Sequence, residues 1–83
     1  MIYRTRGTCS TQIDLDVDEN HIIKHVAFTG GCNGNLKGIC KLVTGRKAED
    51  VIVTLKGTTC GFKSTSCPDQ LARALEIAIG QEQ

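Results

Sequence analysis

Apolar and polar residues alternate without a break from Gln12 to Asp18. Ile13, Leu15 and Val17 share one face, and Gln12, Asp14, Asp16 and Asp18 share the other. A period of two belongs to a strand with one buried face. Asp18-Glu19-Asn20 supplies a turn, and the β-branched run from His21 to Thr29 is expected to return antiparallel, giving a hairpin that ends at Gly30-Gly31-Cys32. Past Cys32 the period changes. Leu36, Ile39, Cys40 and Val43 recur at helical spacing until Gly45, and Ala48, Val51, Ile52 and Leu55 repeat that stripe before Gly57. Within the second stripe the β-branched run Val51-Ile52-Val53-Thr54 also favours a strand. A polar loop from Gly57 to Ser66 then leads to a last helix over Pro68 to Ile79, expected to bury Leu71, Leu75, Ala78 and Ile79. Met1 to Ser10 is weakly patterned. Strands first and helices after predict an α+β domain over residues 1–83. Its small antiparallel sheet, the hairpin plus an N-terminal strand, carries three helices packed on one face.

At 83 residues the core is only marginally self-sufficient, so a metal, a disulfide or a partner subunit, a second copy of the chain included, is expected to staple it. Lysine and arginine (10) nearly balance aspartate and glutamate (9) and are scattered, which argues against nucleic acid or an anionic membrane as the main partner. Met1-Ile2-Tyr3-Arg4 lacks an apolar signal region and no run reaches the length of a membrane span, so a cytosolic (cytoplasmic) protein is expected. Five cysteines in a short cytosolic chain then suggest metal binding or redox chemistry before structural disulfides.

Four of those cysteines, Cys9, Cys32, Cys60 and Cys67, sit beside Gly, Ser and Thr in loops or at element ends, whereas Cys40 lies on an apolar helical stripe and reads as a small hydrophobe. Pro68 suits the first position of a helix, which makes Cys67 the expected cap. Cys32 precedes its helix in the same way. A sulfur at a helix start meets free amides and the positive end of the dipole, both of which favour the thiolate. If the two helix starts face one end of the sheet, two thiolates converge there and a cation relieves their repulsion. The spacing contains no C-x-x-C pair, so the zinc-finger signature is absent. Other constellations have plainer readings. His21 and His25 lie on the second strand as surface residues, Asp14, Asp16 and Asp18 form a solvated strand face, and Gly30 to Asn35 is a tight turn lacking the pattern of a phosphate loop. Lys63, near Cys60, reads as an exposed loop residue, and no Ser-His-Asp or paired-carboxylate set can be assembled, so binding is indicated rather than catalysis.

By Thr65-Ser66-Cys67-Pro68-Asp69 and the second cysteine motif Gly30-Gly31-Cys32-Asn33-Gly34-Asn35, the chain resembles the TSCPD domain family over Cys9 to Ile79. The resemblance implies a small stand-alone protein, or a relative of the C-terminal domain of some ribonucleotide reductases, with metal-binding cysteines. The order of cysteine, hairpin, Gly-Cys, helix, second helix, cysteine and Ala-rich helix is also similar, more distantly, to the NifU/IscU-type iron-sulfur scaffold proteins. That likeness implies three ligands at Cys9, Cys32 and Cys67, the hairpin at Gln12 to Phe28 and the helix pair at Asn35 to Leu55. Thr11 stands where the scaffolds carry an aspartate, and no chaperone-docking Leu-Pro-Pro-Val-Lys lies between Leu55 and Cys67. The expected function is therefore to hold zinc or an iron-sulfur cluster on Cys9, Cys32 and Cys67, with Cys60 as a fourth or exchangeable ligand. A cysteine desulfurase or a ribonucleotide reductase subunit is the expected partner. The alternatives are an accessory domain for ribonucleotide reduction and a metal-free thiol carrier, with a disulfide between Cys60 and Cys67 as its redox form.

Overall fold

A computed structural model describes residues 1–8, 10–31, 33–59 and 65–80. Within them the chain forms β1 (Ile2–Arg4), β2 (Ser10–Val17), β3 (Ile23–Gly30), α1 (Asn33–Val43), α2 (Ala48–Leu55) and α3 (Cys67–Ala78). The strands make one antiparallel sheet in the order β1-β2-β3, so the α+β expectation of a hairpin, an N-terminal strand and three helices is met.

Alternation in β2 buries Ile13 and Leu15 completely and leaves Asp14 and Asp16 on the solvent side. β3 does not alternate so simply, since its buried residues Ile23 and Val26 are three apart. Lys24 explains this. It is an extra residue between the pairs Asp16↔His25 and Val17↔Ile23, and a bulge of one residue returns Ile23 to the core face. The connection between α1 and α2 docks against the same point, with the Gly45 amide donating to Ile23 O (2.7 Å) and the Ile23 amide to Arg46 O (2.9 Å). At the turn, Asp18 accepts from the amides of Asn20 and Ile22.

α1 packs against β3, α3 against β2, and α2 against α3. The core joins Ile13, Leu15, Ile23 and Val26 of the sheet to Val43 of α1, Val51 and Ile52 of α2, and Leu71, Ala74 and Leu75 of α3. The β-branched run in α2 is helical, as its stripe predicts. Ala48, Val51 and Ile52 are buried, Val53 faces solvent at 83% exposure, and Glu49 and Asp50 stand at the end of the helix that favours negative charge. Burial of the stripe outweighs the strand preference, which amounts to only a few tenths of a kcal/mol per residue. Leu71 and Leu75 are buried as expected, joined by Ala72 and Ala74, but Ala78 is exposed and Ile79 only half-buried. Full burial on α3 thus ends at Leu75, with Ile79 still packed against the core at its edge.

These burials give a contrast measurable by urea unfolding. Leu71→Ala removes a fully buried side chain and should cost about 2–5 kcal/mol, whereas Val53→Ala, on the open face of a helix, should change stability by less than about 0.5 kcal/mol and in the stabilising direction.

Candidate functional site

A second bulge sets up the far end of the hairpin. Ser10 pairs with Gly30 and Gln12 with Thr29, leaving Thr11 as the extra residue on β2. The shift turns Ser10 inward, to 3% exposure, where regular alternation from Ile13 would have turned it out. Its Oγ lies 3.1 Å from Cys67 Sγ. Cys67 itself is 8% exposed and opens α3, so the one described thiol at this end is held against the first residue of β2.

The cap of α3 differs from expectation by one residue. Ser66, extended at φ −152° and ψ 172°, is the cap, accepting from the Asp69 amide at 3.2 Å and donating to Thr58 O at 2.6 Å. A hydroxyl accepts an amide hydrogen bond better than a thiol does, and it can donate at the same time. Cys67 is therefore the first helical residue, inside the first turn, and Pro68 follows where its missing amide costs nothing.

Asp69 holds this turn in place. It is fully buried, at 0% exposure, and each carboxylate oxygen has donors: Oδ1 takes the Gly57 amide (2.7 Å), and Oδ2 takes the Thr65 hydroxyl and Arg73 Nε (2.9 Å). Burial works against the charge, but the hydrogen bonds from Thr65, Gly57 and Arg73, together with the arginine's charge, outweigh it and hold the carboxyl below its ordinary value. Gln70, also buried, extends the network to the N-terminal strand. Its Oε1 accepts from Tyr3 Oη (3.2 Å) and the Arg6 amide (3.1 Å), and its Nε2 donates to Thr65 Oγ1 (2.9 Å). Thus Thr65, Ser66 and Asp69 frame Cys67 and tie α3 to the end of α2, while Gln70 ties it to β1. Sequence reasoning gave Asp69 and Gln70 no role. Ser66-x-x-Asp69 was the available signal, since a Ser cap followed three residues later by an acid marks a helix start.

Of the candidate ligands, Cys67 lies at this end of the domain, while Cys9, Cys32 and Cys60 lie outside the described residues, as do Lys63 and any pairing of Cys60 with Cys67. Among the described residues no group of three His, Cys, Asp or Glu side chains could hold a metal. Cys40 is half-buried against the core, where burial pushes its thiol above the ordinary value despite hydrogen bonds from the main chain of Phe28 and of Cys40 itself. That is the small hydrophobe its stripe predicts. His25 is exposed and His21 sits at the hairpin turn, at the opposite end of the strands from Ser10. There His21 Nδ1 meets Glu49 Oε2 at 2.5 Å, and this bond keeps the Glu49 carboxyl below its ordinary value. Gly30 and Gly31 both have φ of 78°, as a tight turn before α1 requires.

These features define a small α+β domain in which a buried acid and a helix cap present a thiol at the bulged end of a three-stranded sheet. The chain belongs to the TSCPD domain family, whose model matches residues 1–79. No curated protein and no solved structure matches it. No helix among the described residues is long and apolar enough to cross a membrane.

Asp69→Asn removes the charge but keeps the shape, leaving its three hydrogen-bond donors, Arg73 among them, poorly matched. It should destabilise the fold by about 2–4 kcal/mol in chemical denaturation near neutral pH. Because the folded state lowers the pKa of Asp69, its contribution is complete above the ordinary value of 3.8 and is lost as pH falls through the lower folded value. The wild type should therefore lose stability on acidification in this window, and the Asn variant should show a flatter acid limb.

Proposed function

We propose that the chain is a metal-binding domain in which Cys9, Cys32 and Cys67 hold one zinc ion or iron-sulfur cluster, with Cys60 as a fourth or exchangeable ligand. The contact of Ser10 Oγ with Cys67 Sγ carries this reading. It sets the thiol of α3 against the residue that follows Cys9 in the chain. Ser10 in turn pairs with Gly30, two residues before Cys32. Each chain step spans about 3.8 Å, so short tethers from one place lead to three of the thiols. The bond from Ser66 to Thr58 holds the residue two before Cys60 in the chain at the same helix start.

The surroundings suit such a centre. Thiolates are the ligands that zinc and iron-sulfur clusters share, and both accept tetrahedral sulfur. The Ser10 hydroxyl can donate to the Cys67 sulfur, an outer contact of the kind that orients a ligand and tunes its basicity. The Asp69 carboxylate, two residues away, is occupied by its own donors and does not compete for the ion. A bound ion would also supply the staple that a core of this size calls for. The domain would then serve as a scaffold or carrier for its metal, the role suggested by the similar order of elements in the iron-sulfur scaffold proteins.

Family membership favours a second reading, an accessory domain for ribonucleotide reduction, since TSCPD domains also occur fused to some ribonucleotide reductases. In that case the same cysteines would hold a docking zinc or relay electrons. Affinity capture separates the two, because a reductase subunit recovered with the protein supports the accessory role and a cysteine desulfurase supports the scaffold role.

Anaerobic purification followed by elemental analysis and an absorption spectrum should find zinc or iron in about 1:1 proportion to protein or, for a cluster, to its iron count. Cys67→Ser should lower that content sharply and Cys40→Ala should leave it unchanged. A folded, metal-free protein in which Cys9, Cys32, Cys60 and Cys67 all titrate as free thiols would contradict the proposal.

A further inference from the structure

On the other side of the Thr65-Gln70 pair, the structure contains a polar cleft of about 410 Å³ lined by Tyr3, Arg6, Gly7, Thr65, Gln70 and Arg73. That volume falls within the about 300–1,000 Å³ typical of small-molecule sites. Among the described residues its lining includes two arginines and no carboxylate. Arg6 is exposed and has no carboxylate partner among the described residues. Arg73 commits its Nε to Asp69, which leaves its two terminal nitrogens and their four N–H groups for another acceptor.

The nearby negative groups are already engaged. Both oxygens of Asp69 have donors beneath the cleft wall, and Glu76 is paired with Lys56 at 2.7 Å. Gln70 Oε1, the acceptor most able to repel an anion, takes two hydrogen bonds, from Tyr3 and from the Arg6 amide. The Gln70 bond to the Arg6 amide also fixes the backbone from which the Arg6 side chain projects. Gly7 keeps the rim open. Its φ is +71°, and a Cβ there would come within 3.1 Å of Thr65 Cγ2.

We infer that this cleft is a binding site for a small oxyanion, a phosphoryl or carboxylate group gripped between the guanidiniums of Arg6 and Arg73. Paired guanidinium forks match such oxygens with charge-assisted, two-point hydrogen bonds, which a lysine or a neutral donor cannot reproduce. The hydrogen-bonded Thr65-Gln70-Tyr3 wall, in which Thr65 and Gln70 are buried, holds the site in shape before the ligand arrives, so little ordering is required on binding. None of this depends on metal at the cysteine end. Loss of metal and loss of anion binding are separate outcomes.

Isothermal titration calorimetry of the full chain tests it, with pyrophosphate and citrate as separate titrants in about 50 mM salt, where charge interactions are only partly screened. The wild type is expected to bind at least one of them at a single saturable site, and preference between the two reports whether phosphoryl or carboxylate oxygens fit better. Arg6→Ala, which leaves the Arg6 amide on Gln70, is expected to weaken binding by about tenfold or more, Arg6→Lys by less, and Lys37→Ala, away from the cleft, by little. Circular dichroism and the unfolding midpoint of each variant establish that it is folded. Absence of saturable binding by both titrants, or equal weakening by Arg6→Ala and Lys37→Ala, would overturn the inference.

Discussion

A carboxylate sealed from water persists as a charge only if its donors are built around it, and Asp69 has a built set. Gly57, Thr65 and Arg73 come from the end of α2, from the chain just ahead of α3 and from α3 itself, so satisfying one side chain fixes three pieces of backbone together. Thr65 passes the constraint to Gln70, and Gln70 passes it to β1 through Tyr3 and Arg6. In a domain whose apolar core is limited by its length, this polar girdle determines where the first turn of α3 sits. Cys67 lies inside that turn.

The sheet meets the helix start through a different device. Two bulges in the hairpin do opposite jobs. The one at Lys24 keeps Ile23 in the core, and the one at Thr11 takes a polar residue, Ser10, and turns it inward to the sulfur. A strand with unbroken alternation would have left the hydroxyl in water. The motif Thr65-Ser66-Cys67-Pro68-Asp69 can thus be read residue by residue: a hydroxyl donor to the acid, a helix cap, the thiol, a proline where no amide is needed, and the acid.

Most of the fold was legible in the sequence because it follows from period. The alternation around Ile13 and Leu15 and the stripes through Leu36 to Val43 and Ala48 to Leu55 each correspond to an element, even where Val51 to Thr54 pulled toward a strand. What periodicity could not show were the places where a single residue breaks it. Ile23 lies on the core face only because Lys24 is extra, and the capping role falls to Ser66 because a hydroxyl outcompetes the thiol beside it. The burial of Asp69 and Gln70 is hidden from periodicity for a related reason. On a helical stripe polar residues default to solvent, and their burial depends on partners as distant in sequence as Tyr3 and Gly57. The thiol site was legible in part. Helix-start placement pointed to Cys67, and the structure puts Cys67 beside Ser10, whereas Cys9, Cys32 and Cys60 lie outside the described residues.

We propose that the acid-anchored start of α3 and the bulged end of the hairpin gather sulfur ligands around one ion. X-ray absorption at the zinc edge of the zinc-loaded protein tests this most directly, because it counts the atoms bound to the metal. Three or four sulfurs at about 2.3 Å are predicted. A first shell made only of nitrogen and oxygen at about 2.0–2.2 Å would contradict it.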